Sequence, residues 1–118
     1  MTENVCAYCN YDDYDVIAKN EFAVILPESQ PLSKGHCIIL PIRHVNSFFE
    51  LTEKEHQALS YLLELARNEL KMRHQPTGFH VGFNDGEIFD RKEQHFHIHI
   101  IPRYQGQNLK LDQRWGIY

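Results

Sequence analysis

Three histidines two residues apart, His95, His97 and His99, alternate with Phe96, Ile98 and Ile100 in the run 95–101. Alternate residues of an extended strand share a face and lie about 6–7 Å apart. One face of this strand therefore carries imidazoles and the other apolar side chains. Neutral imidazole is nucleophilic near pH 7, exchanges a proton there and ligates metals. Histidine is not a favoured strand residue, so a merely solvated polar face accounts poorly for the pattern. Three rings in a straight row also spread too far for one tetrahedral ion. Divided labour, with each ring serving a different centre, fits the spacing better. A second reactive group sits near the start, where Cys6 and Cys9 form C-x-x-C. That spacing suits half of a tetrahedral zinc site or a redox pair. Cys37 lies inside an apolar run, as a small buried residue would.

These residues must be held by a small scaffold. The 118 residues fit one domain, 1–118, with a polar, cysteine-bearing segment at 1–15 and a tail at 105–118. A content of 42% hydrophobic and 24% charged residues places the chain among globular domains rather than disordered ones. The net charge of -4 supplies no basic field, so no nucleic-acid partner is expected and any phosphate must be held by local groups. No apolar run approaches the roughly 18 residues of a membrane span, and the first residues lack the pattern of a signal peptide. The expectation is a cytoplasmic protein without a membrane partner, in which cysteines serve metal or redox chemistry rather than disulfides.

The β-prone runs 16–18 and 22–26, split by Lys19-Asn20-Glu21, predict a hairpin. A loop follows over 27–35, then the apolar strand Cys37-Ile38-Ile39-Leu40, ended by Pro41. A short helical turn is expected over 46–49. Thr52 with Glu55 forms a capping box that starts one long helix, closed by Pro76 and Gly78. Leu59, Leu62, Leu63, Ala66 and Leu70 form its core stripe. A weaker stripe of Ala58, Tyr61, Leu65 and Met72 reads either as a broad core face or as a subunit contact. Phe79, Val81 and Phe83 alternate with His80, Gly82 and Asn84 as a half-buried strand, and Asn84-Asp85-Gly86 is a turn. The order predicts an α+β fold, an antiparallel sheet carrying one main helix.

The run His95-Phe96-His97-Ile98-His99-Ile100-Ile101 resembles the H-φ-H-φ-H-φ-φ signature of the histidine-triad family, φ being apolar. Pro31-Leu32-Ser33-Lys34-Gly35-His36, followed by an apolar strand and Pro41-Ile42-Arg43-His44-Val45, resembles that family's first block. Asn84-Asp85-Gly86 stands at the family's distance before the triad, and Ile101-Pro102-Arg103-Tyr104 resembles the tail of its dinucleoside polyphosphate hydrolases. Together these blocks span roughly residues 16–104. The resemblance implies a five-stranded antiparallel sheet with one long and one short helix, extended across a homodimer. It further implies two-step nucleotidyl transfer, in which the middle histidine, His97, attacks the α-phosphorus and water cleaves the nucleotidyl-imidazole. His99 would contact phosphate or leaving group, His36 would orient the triad, and Asn84 would position phosphate or ribose. Glu28 falls near the family's ribose-binding acid, with Phe22 and Leu26 as candidates for the base pocket. A zinc-binding subset of the family implies a structural Cys₂His₂ site at Cys6, Cys9, His44 and His95.

One block departs from the family. Where G-Q-[ST] usually precedes the triad and assists the leaving group, this chain has Asp90-Arg91-Lys92. Arg91 and Lys92 either hold a polyphosphate leaving group or form a solvated charge pair. The leading expectation is an enzyme releasing a nucleoside monophosphate from a dinucleoside polyphosphate, a phosphoramidate or a related conjugate. A nucleotide-binding module without turnover and a zinc-stabilised interaction protein are the alternatives. In the tail, Lys110, Arg114 and Trp115 suit either stacking on a base or packing against the domain.

Overall fold

The computed structural model describes residues 6–86 and 95–106. Five strands form one antiparallel sheet in the order β1-β2-β3-β5-β4: β1 Ala18–Lys19, β2 Ala23–Pro27, β3 Cys37–Pro41, β4 Gly78–Gly82 and β5 Ile98–Arg103. One long helix, α1 (Glu53–His74), crosses one face of the sheet and packs on β2, β3 and β5. The predicted α+β architecture is what the chain adopts.

The period-2 rule sorts the strand residues cleanly. Ala23, Ile25, Cys37, Ile39, Ile98 and Ile100 face α1 and meet Leu59, Leu62, Ala66 and Leu70 in the main core. Val24, Leu26, Ile38 and Leu40 face the other way, where Tyr8, Tyr11 and Val16 pack on them. Strand β3 is buried on both faces, as its unbroken apolar run predicts.

The hairpin turn is made by Asn20, whose Oδ1 accepts from the amides of Phe22 and Ala23. Such an Asx turn satisfies two amides where the chain reverses. Lys19 consequently belongs to β1 rather than to the turn. The capping box is present in both directions, Thr52 Oγ1 accepting from Glu55 N–H and Glu55 accepting from Thr52 N–H. The helix stops at His74 because Gln75 takes the left-handed conformation (φ 51°), its N–H donating to Lys71 O. The stop therefore comes before Pro76 and Gly78. The short turn is a 3-10 helix at Phe48–Glu50, two residues later than expected. In the second helix stripe, Ala58 and Leu65 pack against the core, whereas Tyr61 and Met72 are exposed.

Gly35 sets the loop between β2 and β3 tightly against the helix. Its φ is +94°, and a Cβ there would come within 2.8 Å of Leu70 Cδ2. Only glycine accepts both conditions without strain.

Candidate functional site

Strand β5 begins three residues later than the sequence pattern suggests. His95, Phe96 and His97 lead into it, with Phe96 N–H donating to Val45 O. Register pairs Ile38 with His99, so His99 shares the face of Val24, Leu26, Ile38 and Leu40. The His97 and His99 rings lie 4.9 Å apart, centroid to centroid.

Hydrogen bonds to fixed backbone groups assign the protons on these rings. His97 Nδ1–H donates to the His95 carbonyl at 2.9 Å, which leaves the lone pair on Nε2. Leu32 N–H donates to His36 Nδ1 at 3.0 Å, so His36 carries its proton on Nε2 and donates it to His99 Nδ1 at 2.9 Å. His99 in turn holds its own proton on Nε2, a donor for an anionic oxygen. Glu28 Oε1 lies 3.8 Å from His99 Nδ1, both side chains more than nine-tenths buried. Glu28, His36 and His99 are close enough together to be considered as a metal cluster. Their wiring argues otherwise, because the proton between the two rings occupies the nitrogens an ion would need.

The fourth histidine belongs elsewhere. His95 Nε2–H donates to Pro41 O at 2.7 Å, which turns its Nδ1 lone pair toward the cysteines. His95 Nδ1 lies 3.6 Å from Cys6 Sγ and 3.5 Å from Cys9 Sγ, and His44 Nδ1 lies 3.2 Å from Cys9 Sγ. A tetrahedral zinc with bonds of about 2.3 Å to sulfur and about 2.0 Å to nitrogen separates the two ligand types by about 3.5 Å. All four ligand atoms fall within 4.8 Å of one another, so the residues fit the ion. Burial lowers the His95 pKa, with His44 and His97 adding to the effect, which keeps the ring neutral as a ligand must be. The Cys9 pKa is raised by burial and by Cys6, so the pair favours its thiol form until a cation binds. Cys37, on the helix side of the sheet, is pushed up to about 12 by burial and is chemically quiet.

The remaining candidates divide. Leu26 lies in the apolar cluster on the triad face, two residues from Glu28. Phe22 lies at the other end of β2, where its carbonyl accepts from Ile42 N–H, roughly 20 Å along the strand from Glu28. Leu26 is therefore beside the triad and Phe22 is not. Asn84 is half-buried just beyond β4, next to Asp85, whose carboxylate caps the 3-10 turn through Ser47 Oγ and Phe48 N. Arg91, Lys92 and the tail residues Lys110, Arg114 and Trp115 lie outside the described residues. One residue beside the triad escaped the sequence reading. Tyr8 sets its ring 5.0 Å from that of His97, at 62°. Its only signal was an aromatic between the two cysteines.

Comparison with known proteins supplies the context. The HIT domain family matches residues 11–106. An uncharacterised HIT-like protein of Mycoplasma genitalium is 32% identical over 88% of this chain and 77% of its own length. The bis(5'-adenosyl)-triphosphatase of Saccharomyces cerevisiae is 30% identical over 80% of this chain, which spans 46% of that relative. Among solved structures, a HIT family protein from Bacillus anthracis superposes with a TM-score of 0.77 at 26% identity, covering 93% of this chain and 84% of that one. A zinc-bound histidine-triad protein from Mycobacterium smegmatis gives 0.71 at 19% identity, covering 80% and 69%.

Proposed function

The chain belongs to the HIT domain family, and from that premise we propose that it is a nucleotide hydrolase or nucleotidyl transferase working through His97. The observation that carries this reading is the His97 Nδ1–H bond to the His95 carbonyl, which aims the nucleophilic Nε2 lone pair away from its own strand. The relatedness to a diadenosine polyphosphate hydrolase supports the substrate class.

In the first step Nε2 attacks the α-phosphorus of a dinucleoside polyphosphate or phosphoramidate. The N–P bond forms as the bond to the leaving group breaks, and the leaving group departs as a polyphosphate anion or, from a phosphoramidate, as an amine that takes its proton from solvent. In the second step water forms a P–O bond, the N–P bond breaks, and a nucleoside monophosphate departs. His99 Nε2–H donates to a phosphate oxygen throughout, its orientation held by His36. Glu28 and Leu26 serve the ribose and the base, Asn84 positions phosphate or ribose, and the cationic Arg91 and Lys92 supply charge for a polyphosphate leaving group. Cys6, Cys9, His44 and His95 would hold zinc, which would supply a structural cross-link between the N-terminal segment and the segment that leads through His97 into β5.

The test is an intact mass after incubation with diadenosine polyphosphate or an adenosine phosphoramidate and an alkaline quench, which preserves the acid-labile N–P bond. An adduct of one AMP, absent in His97→Ala, is the expected result. No adduct together with no AMP release would overturn the reading.

A further inference from the structure

The turn that bears Cys6 and Cys9 also bears Tyr8, and the two features are mechanically joined. The Cys6 carbonyl accepts from Cys9 N–H at 3.1 Å, Asn10 N–H at 3.1 Å and Asn10 Nδ2 at 3.0 Å, so the turn is a tight unit. Cys6 and Cys9 lie at the surface edge of the ligand cluster, while Tyr8 points inward. Its ring is half-buried on the apolar floor of Val24, Leu26, Ile38 and Leu40. It meets His97 edge-on at 5.0 Å and His95 at 6.1 Å and 87°. Two routes thus run from the metal ligands to the nucleophile. One passes through His95, whose ring is a ligand and whose carbonyl orients His97. The other passes through the Cys6–Cys9 turn to the Tyr8 ring.

We propose that Tyr8 is a positioning residue for His97, and that the metal centre exists in part to hold it there. Metal occupancy then sets the surroundings of the nucleophile as well as the stability of the fold. With the ion bound, Tyr8 forms a wall against the His97 imidazole and closes the apolar floor beside it. With the ion removed, the turn keeps its sulfur–imidazole contacts with His44 and His95 and the packing of Tyr8 on the floor but loses the metal cross-link, and the wall loosens. The chemistry needed is packing rather than the phenol hydroxyl, so Phe should replace Tyr and Ala should not.

This inference rests on His97 being the reactive histidine, but its test requires no turnover. The carbethoxylation rate of His97 by diethyl pyrocarbonate, followed by peptide mass spectrometry, reports how well the ring is shielded. It is measured on zinc-loaded wild type, chelated wild type, and zinc-loaded Tyr8→Ala and Tyr8→Phe, with zinc per chain checked by native mass. Cys37 alkylation in each sample reports whether the core has stayed closed. Chelation and Tyr8→Ala should each speed modification roughly 2- to 10-fold, the scale of one aromatic pair. Chelating Tyr8→Ala should accelerate it less than chelating wild type, because only the route through His95 is then left, and Tyr8→Phe should match wild type. A zinc-replete Tyr8→Ala protein that modifies at the wild-type rate would overturn the proposal. So would chelation that accelerates Tyr8→Ala and wild type by the same factor. If chelation opens Cys37, the zinc-loaded Tyr8→Ala sample alone decides. Failure to form the nucleotidyl adduct would remove the enzymatic reading and leave these rates standing.

Discussion

A different neighbour holds one ring nitrogen of each histidine and so fixes what the other nitrogen can offer. A backbone carbonyl leaves the His97 lone pair on Nε2, where the proposed attack would start, and another turns the His95 Nδ1 lone pair toward Cys6 and Cys9. His36 depends on the Leu32 amide, and through it His99 acquires its direction. Removing His36 leaves His99 Nδ1 without that donor and frees the ring to choose the wrong tautomer. His36→Ala should lower kcat about 10- to 100-fold, the range for losing a group that orients an active residue. His36→Gln, which keeps an N–H donor, should recover part of that loss. Equal losses in the two variants, or a change confined to KM, would show that His36 does not act through His99. That His97 and His99 lie side by side and that Cys6 and Cys9 share one turn was legible in the sequence, because both spacings are local. The Leu32 amide was not, since its partner is fixed only when the 27–35 loop closes over His36. Tyr8 was equally hidden, because its importance comes from a strand almost ninety residues away.

Elements sit where local chemistry places them, and the long helix shows how much of that chemistry is readable. Thr52 and Glu55 announce the helix start in the sequence, yet Glu55 has a second duty that no local rule reveals. Its carboxylate accepts from Arg43 Nε at 2.9 Å and Nη2 at 2.8 Å, and it is 4% exposed. The helix cap thereby ties down the segment adjoining His44. The Arg43 bonds, joined by those from Thr52 and opposed by burial, bring the Glu55 pKa from 4.5 to about 2. A carboxyl depressed on folding stabilises the native state fully above its unfolded pKa. That contribution drains away as pH falls from about 5 toward 2. Glu55→Gln should therefore lower stability at pH 7 by about 2 kcal/mol, the scale of hydrogen bonds to a charged group. The gap from wild type in Tm should narrow steadily between pH 5 and 3. A gap of the same size at pH 7 and pH 3 would assign the loss to packing instead. The helix end was less legible, because a left-handed glutamine carries no sequence signal and the nearby Pro76 and Gly78 do.

At the scale of the whole molecule, the sheet ends in two unlike edges. Strand β1 is two residues long and bears Lys19, features that discourage another chain from pairing there. Strand β4 is five residues long, and among the described residues its outer side has no neighbour in the sheet. Val81 pairs with Ile100 and so faces the helix side of the sheet, but it is 48% exposed because α1 packs on β2, β3 and β5. Phe83, just past the strand, stacks on Phe48, whose ring also meets the exposed Phe49 edge-on, so apolar side chains gather at this end. The second helix stripe is elsewhere. Asn20 bonds the Ala58 carbonyl, and Leu65 joins Ile17, Ala18 and Ile25 around a cavity of about 530 Å³ on the β1–β2 side. A homodimer formed through β4 needs none of that stripe. A two-fold axis beside β4 would pair it with its own copy, complete its backbone hydrogen bonds and bury the Val81–Phe83 edge in one step. Light scattering should then give about twice 14.0 kDa, and Val81→Lys should shift the mass toward the single chain. A single-chain mass for wild type would remove the dimer. A dimer that tolerates Val81→Lys at all concentrations would move the interface away from β4.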